Sequence, residues 1–172
     1  MMADLKTKYP STSSVDLTIT LTALATNAAG VFLAGRESTA VDNSTDLDLD
    51  HLLSGVITVG SVAPTVSRSI NIYAYAPISV ASGTPTYPDV LDGTDSAETM
   101  TSANVMNSAL RFVASITIDA TASRAYNFAP VSIASLFGGV LPRFWGVFVA
   151  HDTAQNLTGG TLSYERIQGQ TV

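Results

Sequence analysis

Apolar and small polar residues alternate without a break over residues 15–22. The same two-residue period returns over residues 69–76, 112–119 and 144–150. Successive side chains of a β-strand point to opposite faces, so this period predicts strands that carry one apolar face and one polar face. Several half-buried strands imply an all-β chain whose antiparallel strands form a β-sandwich or a roll.

The size and charge of the chain favour one domain that works as part of an assembly. A length of 172 residues fits a single all-β domain. Hydrophobic residues make up 46% of the chain and charged residues only 13%. Much of the surface must therefore consist of Ser, Thr, Asn and Ala, or be covered by another protein. A net charge of -6 opposes association only modestly.

Composition also argues against several classes of function. The eight Lys and Arg residues are scattered, whereas nucleic-acid binding needs clustered cations. The chain has no cysteine, which excludes a disulfide scaffold and any thiolate site. No run approaches the ~18 apolar residues that span a bilayer. Residues 1–14 lack the apolar segment of a secretory signal, so we expect a product that stays in the cytoplasm of its maker or leaves it by lysis.

Two regions are expected along the chain. Residues 1–14 are polar and are predicted to form an extended N-terminal arm, and residues 15–172 are predicted to form a single β-sandwich domain. The strands expected in this domain cover residues 15–24, 31–34, 46–53, 56–59, 68–76, 111–118, 144–150 and 161–167.

The alternation fails over residues 78–109, where Gly and Pro recur, and this segment is predicted to be a long central loop. One short helix is expected within it, around residues 103–110. A second short helix is expected after Pro130, with Gly138 and Gly139 at its end.

Acidic residues form two groups that could suggest a metal site. Asp46, Asp48 and Asp50 fall on one face of a predicted strand, about 7 Å apart, which is too far for one calcium ion. A solvated face that protects a sheet edge is the better interpretation. The acidic segment 92–98 lacks the residue order of a calcium loop, and its ability to bind a divalent ion stays open. No metal site and no cofactor are predicted.

The two histidines, His51 and His151, give little support to a hydrolase. The chain has no G-x-S-x-G nucleophile motif. A histidine in a turn after a strand, as at His151, is more often a hydrogen-bonded or surface residue than a general base. The sequence therefore predicts a protein that is not an enzyme and has no catalytic residues.

The aromatic residues suggest packing on one strand face and contact on the other. Phe144 and Phe148 share a parity and are expected to pack in the core. Trp145, Tyr73 and Tyr75 have the opposite parity and are expected to contact either a second layer of the fold or a partner protein. With Tyr87 they also admit a sugar-stacking platform, which leaves a carbohydrate-binding β-sandwich as an alternative.

Three stretches of the chain resemble small virion structural proteins of tailed bacteriophages, of the capsid decoration (cement) kind. They are AAGVFLAGRE at residues 28–37, YPDVLDG at residues 87–93 and LFGGVLPRFWGVF at residues 136–148. The resemblance implies a jelly-roll-like subunit, dimeric or trimeric, that binds the assembled shell and stabilises contacts between capsomers. Other virion roles, such as a head-completion, tail or fibre-base subunit, share this composition.

The partners implied by the resemblance are the major capsid protein or another virion protein, and the implied location is the virion, made in the cytoplasm of a bacterial host. Such a role needs exposed binding residues rather than an active site. The residues expected to contact a partner are cationic or aromatic: Lys6, Lys8, Tyr9, Arg36, Arg68, Tyr73, Tyr75, Tyr87, Arg143 and Trp145.

Overall fold

The computed structural model describes residues 5–12 and 14–171. Two short helices are present, α1 (Ala103–Ala109) and α2 (Ile133–Leu136), and the other regular elements are strands. In chain order the strands are β1 (Leu5–Lys8), β2 (Ser14–Asp16), β3 (Ala34–Glu37), β4 (Val41–Asp42), β5 (Asp50–Thr58), β6 (Ser69–Tyr75), β7 (Ser79–Ala81), β8 (Thr84–Thr86), β9 (Ala97–Thr99), β10 (Arg111–Thr117), β11 (Ala125–Ser132), β12 (Phe144–His151) and β13 (Gly159–Thr171).

The strands form two main antiparallel sheets. The first sheet has the order β1-β13-β5-β11, and β2 also pairs with β13. The second sheet has the order β10-β6-β12-β3-β9, and β4 also pairs with β12. β7 and β8 form a separate hairpin. The prediction of an all-β sandwich with antiparallel sheets is confirmed.

The main core lies between the two sheets and follows the two-residue period of the sequence. Alternate residues of the second sheet point into it, including Ile70 and Ile72 of β6 and Val147 and Val149 of β12. They pack against residues of the first sheet such as Leu53. Burying an aliphatic side chain of this size contributes about 1.5–3 kcal/mol, so this face accounts for much of the stability.

A second core covers the outer face of the second sheet. Tyr73, Tyr75 and Phe148 point outward from β6 and β12, yet all three are buried. Residues 78–110 fold over them, and the side chains that they bring include Tyr87, Leu91, Met100, Met106 and Leu110. The predicted central loop is thus a structured layer, and its predicted short helix is confirmed as α1.

The first predicted strand is largely wrong. Of residues 15–24, only the first two belong to β2. The following segment crosses between the sheets: Leu17 N donates to Leu162 O of the first sheet, and Thr39 N, beyond β3, donates to Thr18 O. Its alternation persists, because Leu17 and Leu21 face the core while the threonines between them are exposed.

Two further boundaries differ from prediction. The strand expected over residues 31–34 lies instead at β3, and Gly35 is inside it rather than at its end. Glycine is required at this position, because a Cβ there would clash with the ring of Phe148 and the carbonyl of Val149. The strands expected over residues 46–53 and 56–59 are one strand, β5, which runs through Ser54 and Gly55 without a turn. Strands pair with β5 on both sides, and Leu162 and Phe128 lie opposite Gly55.

The second helix begins later than predicted. Pro130 lies in β11, and α2 starts after Ser132, whose hydroxyl accepts from Ser135 N. Gly139 N then donates to Ala134 O, so the predicted glycine end is confirmed. Among the described residues, no helix is both long and apolar enough to cross a bilayer.

The N-terminal arm is partly a strand. β1 pairs with the last residues of β13, from Leu5 opposite Thr171 to Lys8 opposite Gln168. The prediction of an extended arm also covers residues 1–4 and 13, which lie outside the residues that the structure describes.

Candidate docking site

Three segments meet at one end of the sandwich. Leu47 and Asp48 line the same surface pocket as Leu141 and Arg143. Next to them, Leu49 N donates to Ile167 O, where β13 continues into its pairing with β1. We call this surface the docking end; it comprises residues 43–49, residues 140–143 and the ribbon formed by residues 5–8 and 168–171.

Asn43 organises the first of these segments. Its side-chain amide donates to Asp48 O at 3.0 Å and accepts from Asp48 N at 2.8 Å. Its own backbone N donates to Arg143 O, and its carbonyl accepts from Leu47 N. These bonds hold Leu47 at a φ of 52°, which is unfavourable for a bulky side chain.

The aspartates of this segment do not form the solvated strand face that the sequence predicts. Asp48 is buried, while Leu47 and Leu49 are 72% and 51% exposed. The strand starts only at Asp50, so the preceding residues follow the Asn43 turn rather than a β alternation. Arg166, which is distant in sequence, donates two hydrogen bonds to Asp48 and forms an ion pair with Asp46. The charge-assisted bonds to Asp48 offset the free-energy cost of burying its carboxylate.

A continuous chain of buried polar groups lies beneath the docking end. Trp145 Nε1 donates to His51 Nδ1 at 2.9 Å, and His51 Nε2 lies 2.9 Å from Asp48 Oδ2. An indole N–H can only donate, so Nδ1 must accept and the ring hydrogen sits on Nε2, which donates to Asp48. Arg166 Nε closes the chain, 2.7 Å from the same carboxylate oxygen.

Burial and neighbouring charges determine the protonation states of His51 and Asp48. Burial lowers the pKa of His51, although Asp48 acts in the opposite direction, so the imidazole is neutral at pH 7. Burial acts to raise the pKa of Asp48, but the hydrogen bonds from Arg166 and His51 outweigh it and lower that pKa. The ring of Tyr164 packs on His51 with centroids 4.3 Å apart.

Exposed apolar groups stand beside this network. Val140 is 71% exposed, in the turn that follows Gly138 and Gly139. Arg143 is exposed and lies over the ring of Phe144, 5.1 Å from its centroid. Leu47 lines the same pocket as Leu141 and Arg143, so this end of the molecule combines exposed apolar residues with an exposed cation, which is typical of protein interfaces.

The ribbon adds two more cations. β5 reaches only to Asp50, opposite Ile167, so residues 168–171 of β13 extend past it with β1 as their strand partner. Lys6 and Lys8 are exposed and share one ribbon face with their cross-strand neighbours Gln170 and Gln168. Within the described ranges, no carboxylate forms an ion pair with either lysine.

The structure separates the ten residues that the sequence singled out. Lys6, Lys8 and Arg143 lie at the docking end, and Tyr9, which follows β1, is 55% exposed. Trp145 faces the main core, while Tyr73, Tyr75 and Tyr87 belong to the second core. The expectation that these four aromatic residues contact an external partner is therefore corrected: the first sheet packs over Trp145, and the outer layer covers the three tyrosines.

Two of the predicted arginines serve internal contacts. Arg36 Nε donates to Asp95 Oδ1 at 2.6 Å, and Arg68 Nη1 lies 3.3 Å from Asp152 Oδ2. The partner carboxylates also accept backbone N–H groups, from Thr20 for Asp95 and from Ser69 for Asp152. These arginines hold loops together and are less available to a partner than those at the docking end.

Glu37 is a buried polar residue that the sequence analysis missed. It is fully buried on β3 and accepts hydrogen bonds from Tyr75, from Ser96 and from the backbone N–H groups of Asp92 and Gly93. Burial raises its pKa. Its role is to attach the outer layer to the second sheet, and no local signal in the sequence distinguishes it from an exposed strand residue.

Both ring nitrogens of the second histidine also have hydrogen-bond partners. His151 is buried, with Nδ1 3.0 Å from Thr153 Oγ1 and Nε2 3.1 Å from Leu24 O. Among the residues that the structure describes, no three or more His, Cys, Asp or Glu side chains are grouped to hold a metal ion.

No protein-family model matches this chain. No curated protein matches it either.

Proposed function

We propose that this chain is a structural subunit of a bacteriophage particle, of the capsid decoration kind, which binds the assembled shell through its docking end. The observation that carries the proposal is that three apolar residues of the docking end, Leu47, Leu49 and Val140, are each exposed, on the surface that also carries Lys6, Lys8 and Arg143. Large apolar side chains that are exposed at one end of a protein, together with exposed cations, fit a protein partner better than water. The sequence resemblance supports a phage particle as the source of that partner.

The cations indicate the chemistry of the partner surface. Lys6 and Lys8 of the ribbon and Arg143 place three cations at the docking end of a chain whose net charge is -6, while Asp46, the exposed carboxylate of the 43–49 segment, is ion-paired to Arg166. A matching surface on the major capsid protein would be apolar at its centre and acidic at its margin. Binding only to the assembled shell lowers the free energy of that state, and many copies multiply this stabilisation.

The proposed subunit acts as a dimer or trimer. The β7–β8 hairpin supports this part of the proposal, because residues 76–86 carry no charge and Ile78 is largely exposed. A two-stranded hairpin is marginally stable on its own, and its free edges favour pairing with another strand.

Co-sedimentation with phage heads that lack this chain tests the proposal. We expect the wild-type chain to bind at a copy number close to that of the major capsid protein, and Leu47→Asp with Val140→Asp to bind at least tenfold more weakly. Val66→Asp is the matched control, since Val66 is 59% exposed in the loop after β5, at the opposite end of that strand. Equal binding by both variants would remove the docking end from the proposal.

The copy number separates the alternatives. A head-completion, tail or fibre-base subunit would be present in far fewer copies than the shell protein. The carbohydrate-binding alternative has lost its main support, because the aromatic platform on which it depended is buried. Failure to bind heads at any ratio would contradict the decoration role.

A further inference from the structure

We propose that protonation of His51 at mildly acidic pH loosens the docking end and so weakens its hold on a partner. The molecular step is a property of the isolated chain. Its consequence for binding rests on the proposed function.

The hydrogen-bond geometry allows one arrangement of ring hydrogens. Nδ1 of His51 must be bare to accept from Trp145, and Nε2 must carry a hydrogen to reach Asp48. A second proton on the ring would have to sit on Nδ1, 2.9 Å from an indole nitrogen that already points its own hydrogen there. Protonation therefore breaks the Trp145 bond and leaves a fully buried indole N–H without an acceptor.

Charges from each neighbouring segment face the imidazole. Asp48 from the 43–49 segment favours its protonation, and Arg166 from β13 opposes it. Asp50, next to His51 on β5, is engaged with Ser132 and with Ala134 N at the start of α2.

The remaining neighbours complete the environment. β12 contributes the uncharged indole, β13 also contributes the Tyr164 ring, and Asp46 is ion-paired to the guanidinium on the exposed side. Burial lowers the pKa of His51, so the change in charge falls below the ordinary histidine value of 6.5.

Asp48 connects the imidazole to the docking end. It lies between Leu47 and Leu49 in the chain, and its backbone is bonded on both sides to Asn43. Its carboxylate also accepts two hydrogen bonds from Arg166. Arg166 lies on β13, two residues before the ribbon begins at Gln168. Because Nε2 stays bonded to Asp48, a ring that moves away from Trp145 pulls on Asp48 and therefore acts on the exposed leucines and on the root of the ribbon at once.

Trp145 is the only tryptophan, so its fluorescence reports this contact directly. We expect its emission to change with a midpoint below pH 6.5 while the far-ultraviolet circular dichroism of the strands is still unchanged. His51→Gln should abolish this transition, and His151→Gln, which alters the other buried histidine, should retain it. NMR titration of the two imidazoles in the wild-type chain gives the same midpoint without any substitution.

Emission that stays constant until the circular dichroism collapses would overturn the proposal, as would an imidazole of His51 that stays neutral down to that point. Binding to heads at pH 7.5 and at a pH below the midpoint of the Trp145 transition provides the second arm, where we expect about tenfold weaker binding at the lower pH. Equal binding at both pH values, with the Trp145 transition present, would overturn the link to docking. Absence of binding at both, with the transition present, would contradict the proposed function alone.

Discussion

Polar residues that are buried in this protein hold distant parts of the chain together, and Glu37 is the clearest case. Tyr75 places its hydroxyl 2.9 Å from both Glu37 Oε2 and Ser38 O, although it has one hydrogen for two acceptors. A proton on Glu37 would supply the second hydrogen. This geometry agrees with the raised pKa of the carboxyl, which burial causes.

Substituting Glu37 should therefore separate hydrogen bonding from charge. Glu37→Gln keeps an amide hydrogen for Tyr75 and a carbonyl for Asp92 N, so we expect it to lower the free energy of unfolding by about 1 kcal/mol. Glu37→Ala removes the acceptor from Ser96 and two backbone groups, and we expect about 3 kcal/mol. Urea unfolding at pH 7 measures both. Equal losses would show that the carboxyl acts only by filling space.

Single residues also show where sequence reasoning fails. The exposure of Leu47 and the burial of Asp48 reverse the predicted alternation, because this segment follows the Asn43 turn and because Asp48 pairs with Arg166, which is far away in the chain. Asn43 could have been recognised as a turn residue, since an Asn side chain can bond to nearby backbone groups. The partner of Asp48 could not have been recognised, because pairing between distant segments leaves no local pattern.

At the scale of elements, the period of the sequence identified strands better than their ends. The strands β6, β10 and β12 lie close to their predicted bounds, because the apolar–polar alternation extends over the whole length of each strand. The segment after β2 alternates as well, yet its backbone bonds to Leu162 of β13 and to Thr39 in the loop after β3, and it belongs to neither sheet. Alternation reports which side chains face the core, while strand pairing depends on neighbours that the local sequence does not contain.

The terminal ribbon gives the prediction that belongs to this scale. Removing residues 1–8 takes away β1, which extends past β5; its residues whose side chains the structure describes, 6–8, belong to neither core. We expect the truncated chain to keep its unfolding free energy within about 1 kcal/mol. It should bind phage heads less well than the full chain, because Lys6 and Lys8 are lost. Lys6→Ala with Lys8→Ala keeps the strand and isolates the charges; full binding by both variants would contradict a role for the ribbon.

For the whole molecule, the sheets are buried to different extents. The second sheet has the main core on one face and the layer of residues 78–110 on the other, so every residue of β12 is buried. Tyr73 and Tyr75 of β6, which the sequence suggested as partner contacts, lie beneath this layer, whereas Trp145 of β12 faces the main core. A low charge content is consistent with such layering, because it supplies apolar and hydroxyl-bearing residues for two cores.

Stability of the whole molecule should fall in two steps as the solution is acidified. Burial lowers the folded-state pKa of His51 and His151 below 6.5, so below pH 6.5 the unfolded chain takes up protons that the folded chain does not. The stability due to neutral imidazoles is complete above pH 6.5 and declines as the pH falls through the folded-state values. Glu37 acts in the opposite direction, since its raised pKa favours the folded state as the pH falls towards 4.5.

The second step comes from carboxylates. Against the opposing effect of burial, hydrogen bonds from Arg36 and Thr20 lower the pKa of Asp95 to about 2, and bonds from Ser69, Gly30 and Arg68 lower that of Asp152. Their stabilisation is present above pH 3.8 and is lost as the pH falls towards 2. Urea unfolding between pH 7.5 and 2.5 measures both steps. The double variant His51→Gln with His151→Gln should remove the decline that begins below pH 6.5 and keep the lower one. A decline in that upper range that survives the double substitution would mean that groups other than the histidines control it.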